Sequence, residues 1–378
     1  MAVMRMFGRL LQKIGVSCLF GMSLVCAHAQ AASEIRVGES IDMTGINGDL
    51  GKDFLAGARV YFDYINSSGG IHGKKIALDV RDNHGSIAQS KQITQDFLTK
   101  DKVDVLFGYY GEGVTEATAD DKLFIQSGIP LVAPFSGATL ARTGNIYFLR
   151  PSYIEEVQEA LRYVQGLGLR KLAVVYNPNA YGHAALQAVK VELQHQPLQL
   201  VAEQAIRENN DADMTAAIQK LKSSGAQATL MIMETLPAAD FVKIYHPLSP
   251  GALLLGLSQI NHETLMELAG KTAAAGVVIT QVVPHPGNFS LPAVRELDKL
   301  MKKYRDEAPS HLTMEGYLAA KLLVRTLERA DTPKQISQVL DNLHNLDLGG
   351  FYLSSGPDHR VSSYVDITAI SSRGGLLH

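Results

Sequence analysis

Residues 103–139 read VDVLFGYYGEGVTEATADDKLFIQSGIPLVAPFSGAT, in the order strand, turn, helix, strand, turn. Val103 to Phe107 is a short apolar run of β-forming residues, as expected for a strand buried on both faces. Gly108, Gly111 and Gly113 crowd the turn behind it. Glycine there permits positive φ and lets a small molecule approach the backbone. A helix is predicted from about Val114 to Gln126. Gly128 ends it, Pro130 opens a strand over Leu131 to Ala133, and Phe135-Ser136-Gly137-Ala138-Thr139 forms a second turn of small residues. Turns at the carboxyl ends of neighbouring parallel strands are where open α/β sheets bind ligands, and their free N–H groups favour an anionic group. The same glycines also suit tight strand–helix connections that bind nothing, and the stretch alone leaves both readings open.

Outward from this stretch the pattern repeats. Strands are predicted at Ile35 to Ile41 and Ile76 to Val80, with helices at Phe54 to Ile65 and Ala88 to Leu98. Ile146 to Arg150 reads as a connecting strand broken by Pro151, and a second βα series begins there. Its strands are Lys171 to Tyr176, Leu198 to Glu203, Thr229 to Met233, Leu253 to Leu257 and Gly276 to Val283, with helices at Ala184 to Leu193, Met214 to Leu221, Ala238 to Tyr245 and Glu263 to Leu268 between them. Three helical patterns follow, at Val294 to Tyr304, Met314 to Leu327 and Pro333 to Leu343. Two antiparallel strands close the chain, at Gly350 to Leu353 and Tyr364 to Ile370. Alternating βα units imply parallel sheets with helices on both faces; one wide sheet could hold the roughly nine strands, but the break at Pro151 suggests two lobes.

The chain has 378 residues, enough for two ordinary domains with a large core. Apolar residues make up 46% and charged residues 19%, which excludes a disordered or coiled-coil chain. Arg and Lys are scattered and aromatics do not interleave with them, so no nucleic-acid partner is expected.

The amino terminus reads as a secretory signal peptide. Arg5, Arg9 and Lys13 form a positive leader, Ile14 to Val25 is an uncharged apolar stretch too short to span a bilayer, and Ala27-His28-Ala29 fits the small-x-small cleavage rule. Cleavage is expected after Ala29, with Ala31 as the second choice. Removal takes away three positive charges and no carboxylate, moving the net charge from −3 to −6. It also removes both cysteines, Cys18 and Cys26, leaving no disulfide, thiol nucleophile or thiolate metal site. Val25, just before Cys26, does not fit lipid anchoring. No other apolar run approaches the length of a bilayer span, so the mature protein is expected to be soluble.

Enzyme and cofactor signatures are missing. The loop Thr44-Gly45-Ile46-Asn47-Gly48-Asp49-Leu50-Gly51 does not have dinucleotide-binding spacing, and no phosphate-loop motif occurs. The twelve histidines are scattered, with no zinc spacing, and no G-x-S-x-G elbow is present. No metal, no cofactor and no enzymatic activity are therefore expected.

The chain resembles a known family over almost all of its mature length. Asn66-Ser67-Ser68-Gly69-Gly70-Ile71-His72-Gly73-Lys74-Lys75, Pro134-Phe135-Ser136-Gly137-Ala138, Val174-Val175-Tyr176 followed by Ala180-Tyr181-Gly182, Thr280-Gln281-Val282-Val283-Pro284, and Glu315-Gly316-Tyr317 carry the resemblance. Their order and spacing are those of the type I periplasmic solute-binding proteins, in the branched-chain amino-acid receptor branch that serves ABC importers. The resemblance implies an α/β fold of two Rossmann-like lobes, parallel sheets flanked by helices, joined by three hinge crossovers near Arg150, Gln281 and Leu346. Lobe one is then 34–150 with 282–345, and lobe two 151–281 with 346–378. It implies a periplasmic monomer that encloses a small amino-acid-like or organic-acid ligand between the lobes and delivers it to an inner-membrane ABC permease. A periplasmic sensor for a signalling partner needs the same hinged cleft and is the alternative; an enzyme on the same scaffold is the third class.

Contact positions carry over where residues match. The turn after the lobe-one strand, which in the family offers a small hydroxyl, falls on Glu112, or on Gly113 if the turn is one residue longer. A carboxylate would repel an anionic group there, so either Glu112 faces solvent or the ligand is cationic or hydroxylic at that point. Ser136 keeps a hydroxyl, and Gly137 and Ala138 keep backbone N–H groups. Tyr181 matches the tyrosine that packs over the ligand. Ser258 stands where amino-acid receptors place an acid for the ammonium group. Tyr109 and Tyr110 alternate along an extended segment, so at most one points into the cleft. Gln281 is the remaining candidate, at a hinge crossing.

Overall fold

The computed structural model describes residues 34–356 and 358–377. The leader and its cleavage site lie outside them. In chain order the elements are β1 (Ile35–Ile41), α1 (Gly48–Ser67), β2 (Ile76–Asp82), α2 (Ile87–Asp96), β3 (Val105–Phe107), α3 (Glu112–Ala119), α4 (Lys122–Ser127), β4 (Leu131–Val132) and β5 (Ile146–Tyr147). Next come α5 (Tyr153–Gly166), β6 (Lys171–Tyr176), α6 (Ala180–Glu192), β7 (Gln199–Ala205), α7 (Asp211–Ser224), β8 (Ala228–Ile232), α8 (Thr235–Tyr245), β9 (Leu253–Gly256), α9 (His262–Ala269), α10 (Lys271–Ala274) and β10 (Val278–Gln281). The last are α11 (Pro292–Tyr304), α12 (His311–Leu327), α13 (Pro333–Asp341), β11 (Leu346–Asp347), β12 (Tyr352–Leu353), β13 (Asp366–Ile370) and β14 (Leu376–Leu377).

The chain forms two α/β lobes. One sheet has the order β2-β1-β3-β4-β5 and is parallel throughout. The other has the order β14-β13-β10-β9-β8-β6-β7, parallel from β10 to β7 with two antiparallel strands at the far edge. β3 is fully buried, as its unbroken apolar run requires of a central parallel strand. The helix expected over Val114 to Gln126 is two helices. Asp121 caps the second by accepting the N–H groups of Leu123 and Phe124, which forces a new start. Tyr352–Leu353 pairs with Leu346–Asp347 in a separate hairpin rather than joining the closing sheet.

The chain passes between the lobes three times. It leaves the first sheet after Tyr147 and enters α5, whose Val157, Leu161 and Val164 pack under the second sheet. It returns after Gln281, and Val282 and Val283 pack in the first core. The third passage lies between Val361 and Asp366, later than Leu346. Leu346, Leu348, Phe351 and Leu353 are apolar and bury against the first core, so this segment stays with it. At the first passage Arg150 is 1% exposed and makes a two-pronged ion pair with Glu315 of α12. Its guanidinium also lies 3.8 Å over the Phe135 ring and donates to Ser258 Oγ at 2.9 Å.

α1 and α12 cross in the first core at two glycines. A Cβ on Gly57 would lie 1.9 Å from the Thr313 carbonyl oxygen, and one on Gly316 1.8 Å from that of Phe54. The backbones touch there, which no larger residue permits.

Candidate functional site

In each sheet the strand order reverses at one point. In the first sheet β1 lies between β2 and β3, so successive connections leave in opposite directions; in the second, β6 lies between β7 and β8. Open α/β sheets bind ligands outside the carboxyl ends of strands at such points. A cavity of about 180 Å³ lies where these ends meet. The first lobe supplies Asn47 after β1, Gly85 and Ile87 after β2, and Tyr110 to Val114 after β3. The second lobe supplies Asn179, Ala180 and Tyr181 after β6, Glu234 after β8 and Gln259 after β9.

A larger groove of about 870 Å³ is lined mostly by the 350–364 segment. It lies away from both reversal points, and its Arg360 is committed to the backbone oxygens of Arg150 and Ala138. We therefore take the smaller cavity as the site.

Tyr110, Glu112 and Tyr181 line the cavity. Tyr109 lies on the other side of the segment, buried among Phe97, Leu106 and Val114 with its hydroxyl on Thr94 Oγ1 at 3.0 Å. Glu112 opens α3 and is 3% exposed. Its Oε1 accepts from Ser136 Oγ at 2.8 Å and from the Tyr153 hydroxyl. Ser136 in turn accepts the Ala138 N–H at 3.1 Å. The hydroxyl and N–H expected to meet an anionic ligand are thus engaged with Glu112 and with each other. Gly137 admits the Tyr153 ring, which a Cβ would meet at 2.7 Å, and its carbonyl accepts the Tyr153 N–H. Ser258 does not line the cavity. Its hydroxyl takes the Arg150 guanidinium, and its N–H goes to Glu156 Oε2 at 3.0 Å. Gln281 ends β10 and pairs with Asp366, also outside the lining.

Four polar side chains of the lining, those of Glu234, Asn179, Gln259 and Asn47, had no part in the expected site. Glu234 stands directly after β8, the position that drew attention to the turn after β3, and the same rule would have found it. Asn179 caps α6 by accepting the Gly182 N–H, and its amide donates to Glu234 Oε1 at 2.8 Å. Gln259 bridges the lobes: its amide donates to the Tyr153 hydroxyl at 3.0 Å, and its oxygen accepts from Tyr110 at 3.4 Å. Asn47 precedes α1 and had no local signal.

The electrostatics are one-sided. Burial raises the Glu112 carboxyl above the usual range, against the lowering effect of the Tyr153 and Ser136 bonds. Burial pushes Glu234 up to about 7, with its own backbone N–H and Asn179 opposing and Glu112 and Glu208 adding to the rise. Burial likewise lifts the Tyr110 and Tyr181 phenols well above their ordinary value, so both stay protonated. No Lys, Arg or His is among the described lining residues. The site can bind a small polar solute through carboxylates, phenols and amides. Among the described residues no group of three metal-ligating side chains is assembled.

Two doubly wound lobes with a polar cavity at their facing reversal points define a two-lobed binding protein. The chain belongs to the periplasmic binding protein family, whose model matches residues 34–375. It is 24% identical to Leu/Ile/Val-binding protein homolog 3 of Brucella melitensis over 337 residues, 88% of this chain and 89% of that one. Its fold matches a substrate-binding periplasmic protein of Ralstonia solanacearum with a TM-score of 0.84 at 29% identity, covering 91% of this chain and 99% of that one. It also matches the branched-chain amino acid transporter substrate-binding protein of Streptococcus pneumoniae, solved with isoleucine, with a TM-score of 0.80 at 18% identity and covering 91% and 98% of the two chains.

Proposed function

We propose that the protein is the solute receptor of an ABC importer, exported to the periplasm by its leader, and that it encloses one small amino-acid-like or organic solute between its lobes. The observation that carries this reading is the cavity lined by both lobes at their reversal points. A ligand held there contacts both walls only when the lobes are together, so binding shifts the population toward the closed form. The cavity volume of about 180 Å³ is below the ~300–1,000 Å³ of drug-sized pockets and favours a solute of few heavy atoms. The names of the relatives, which are binding proteins, support a receptor over an enzyme. Delivery then requires an inner-membrane permease that reads the closed form; a monomer without cofactor suffices.

Small-angle scattering with and without ligand tests closure. The radius of gyration is expected to fall at saturation, and a bound ligand is expected to raise the melting temperature. An unchanged radius at saturation refutes the hinge.

A further inference from the structure

Glu234 is 8% exposed and lines the cavity, and its Oε2 has no hydrogen-bond partner among the described residues. The Tyr181 hydroxyl, on the same wall, also has no partner among the described residues. A buried oxygen without a donor is costly, and a carboxylate more so. Oε1 of the same group is held by Asn179 at 2.8 Å, so the carboxylate is fixed in place with one oxygen left over. Across the cavity stands Glu112, a second carboxylate. The Arg150 guanidinium, which does not line the cavity, is committed to Glu315 and Ser258. The Ser136 hydroxyl, which would have met an anion, points to Glu112.

Two buried side-chain oxygens on this wall are thus left without a partner among the described residues, and no cationic side chain lines the cavity to meet them. An anionic ligand group would meet two carboxylates and no counter-charge. We infer that the cleft takes a small organic cation bearing N–H donors, such as a primary ammonium, amidinium or guanidinium, with Glu234 Oε2 and the Tyr181 oxygen as its acceptors. This rests on the receptor reading above and adds the charge class of the ligand. A carboxylate elsewhere on the ligand is not needed for recognition.

The test is calorimetric titration of the leaderless protein at pH 8 with three sets of probes. The cations are ethanolamine, acetamidine, methylguanidine and agmatine; the anions acetate and lactate; the neutral compounds acetamide and urea. L-Leucine and L-isoleucine are titrated alongside. At least one N–H cation is expected to bind, with choline, a cation without N–H, binding at least about tenfold more weakly. Glu234→Gln is expected to cost that cation about tenfold or more, and Tyr181→Phe several-fold, while both variants melt no lower than the parent. Lowering the pH to 5.5 protonates Glu234, whose charged neighbours are Glu112 and Glu208, and is expected to cost about tenfold. Tight binding of an anion, a neutral amide or a branched-chain amino acid, unaffected by Glu234→Gln, overturns the cation inference and leaves the receptor standing. Absence of binding by every probe overturns both.

Discussion

Tyr153 donates its hydroxyl to Glu112 Oε1, and the two residues belong to different lobes. Tyr153 opens α5 of the second lobe, Glu112 opens α3 of the first, and both are nearly inaccessible to solvent. The carboxylate also takes Ser136, and the tyrosine oxygen takes the Gln259 amide. The bond therefore joins the two walls behind the cavity. Tyr153→Phe leaves Glu112 short of one donor inside the protein. We expect a loss of about 1–3 kcal/mol of unfolding free energy at pH 7, read by urea denaturation. An unchanged midpoint refutes a stabilising role for the bond.

Stability of the ligand-free protein should fall as the pH rises. Burial raises Glu39 well above its ordinary value, Asp53 to about 6 and Glu234 to about 7. Each binds its proton more tightly folded than unfolded, so the native state is favoured below the unfolded pKa and loses that advantage as pH passes the folded one. Urea titrations at pH 5, 6, 7 and 8 should show a declining free energy. Glu234→Gln should flatten the part between about pH 4.5 and 7, where that group alone contributes on the order of 3 kcal/mol. A profile that rises over this range contradicts the assignment.

Arg150→Met should be among the most damaging single changes. It strands Glu315, 2% exposed, without its partner. Breaking one side of a buried pair costs about 3–5 kcal/mol. Adding Glu315→Gln should recover part of that loss, because the stranded charge goes with it. A double variant no better than the single one would show that the guanidinium acts through its packing on Phe135 and its bond to Ser258 instead.

Gly316→Ala should destabilise by about 3 kcal/mol or more, since its Cβ would stand 1.8 Å from the Phe54 carbonyl oxygen and two backbones must part. Gly166→Ala is the control. It meets nothing within 4 Å, has no positive φ, and ends a helix, so it should be neutral or stabilise by up to about 1 kcal/mol. Thermal unfolding of the two variants separates a crossing effect from a general intolerance of glycine replacement.

Much of this was readable in the chain. The apolar runs at β3 and β4 and the small-residue turns after them follow from local propensity and periodicity, which neighbours in sequence decide. That information gave two series of βα units and the break at Pro151. The local pattern put Tyr110 in the turn after β3, and the family resemblance singled out Glu112 and Tyr181; all three line the cavity. It failed where two local signals competed, as when Asp121 restarted a helix inside an unbroken apolar pattern.

What remained hidden depends on partners far apart in sequence. Ser136 has a free hydroxyl on paper, and only the fold sets it 2.8 Å from Glu112. Ser258 sits at the expected strand end, yet Arg150, 108 positions earlier, takes its hydroxyl. Gln259 carries no motif, and the strand-end rule marks the place of Glu234 but not its role, because a glutamate or glutamine becomes a binding group only when packing removes water and leaves an oxygen facing a cavity. Strand order decides which turns meet. Burial decides which acids hold their protons. Both are properties of the assembled lobes, since desolvation and long-range pairing arise only after distant segments have come together.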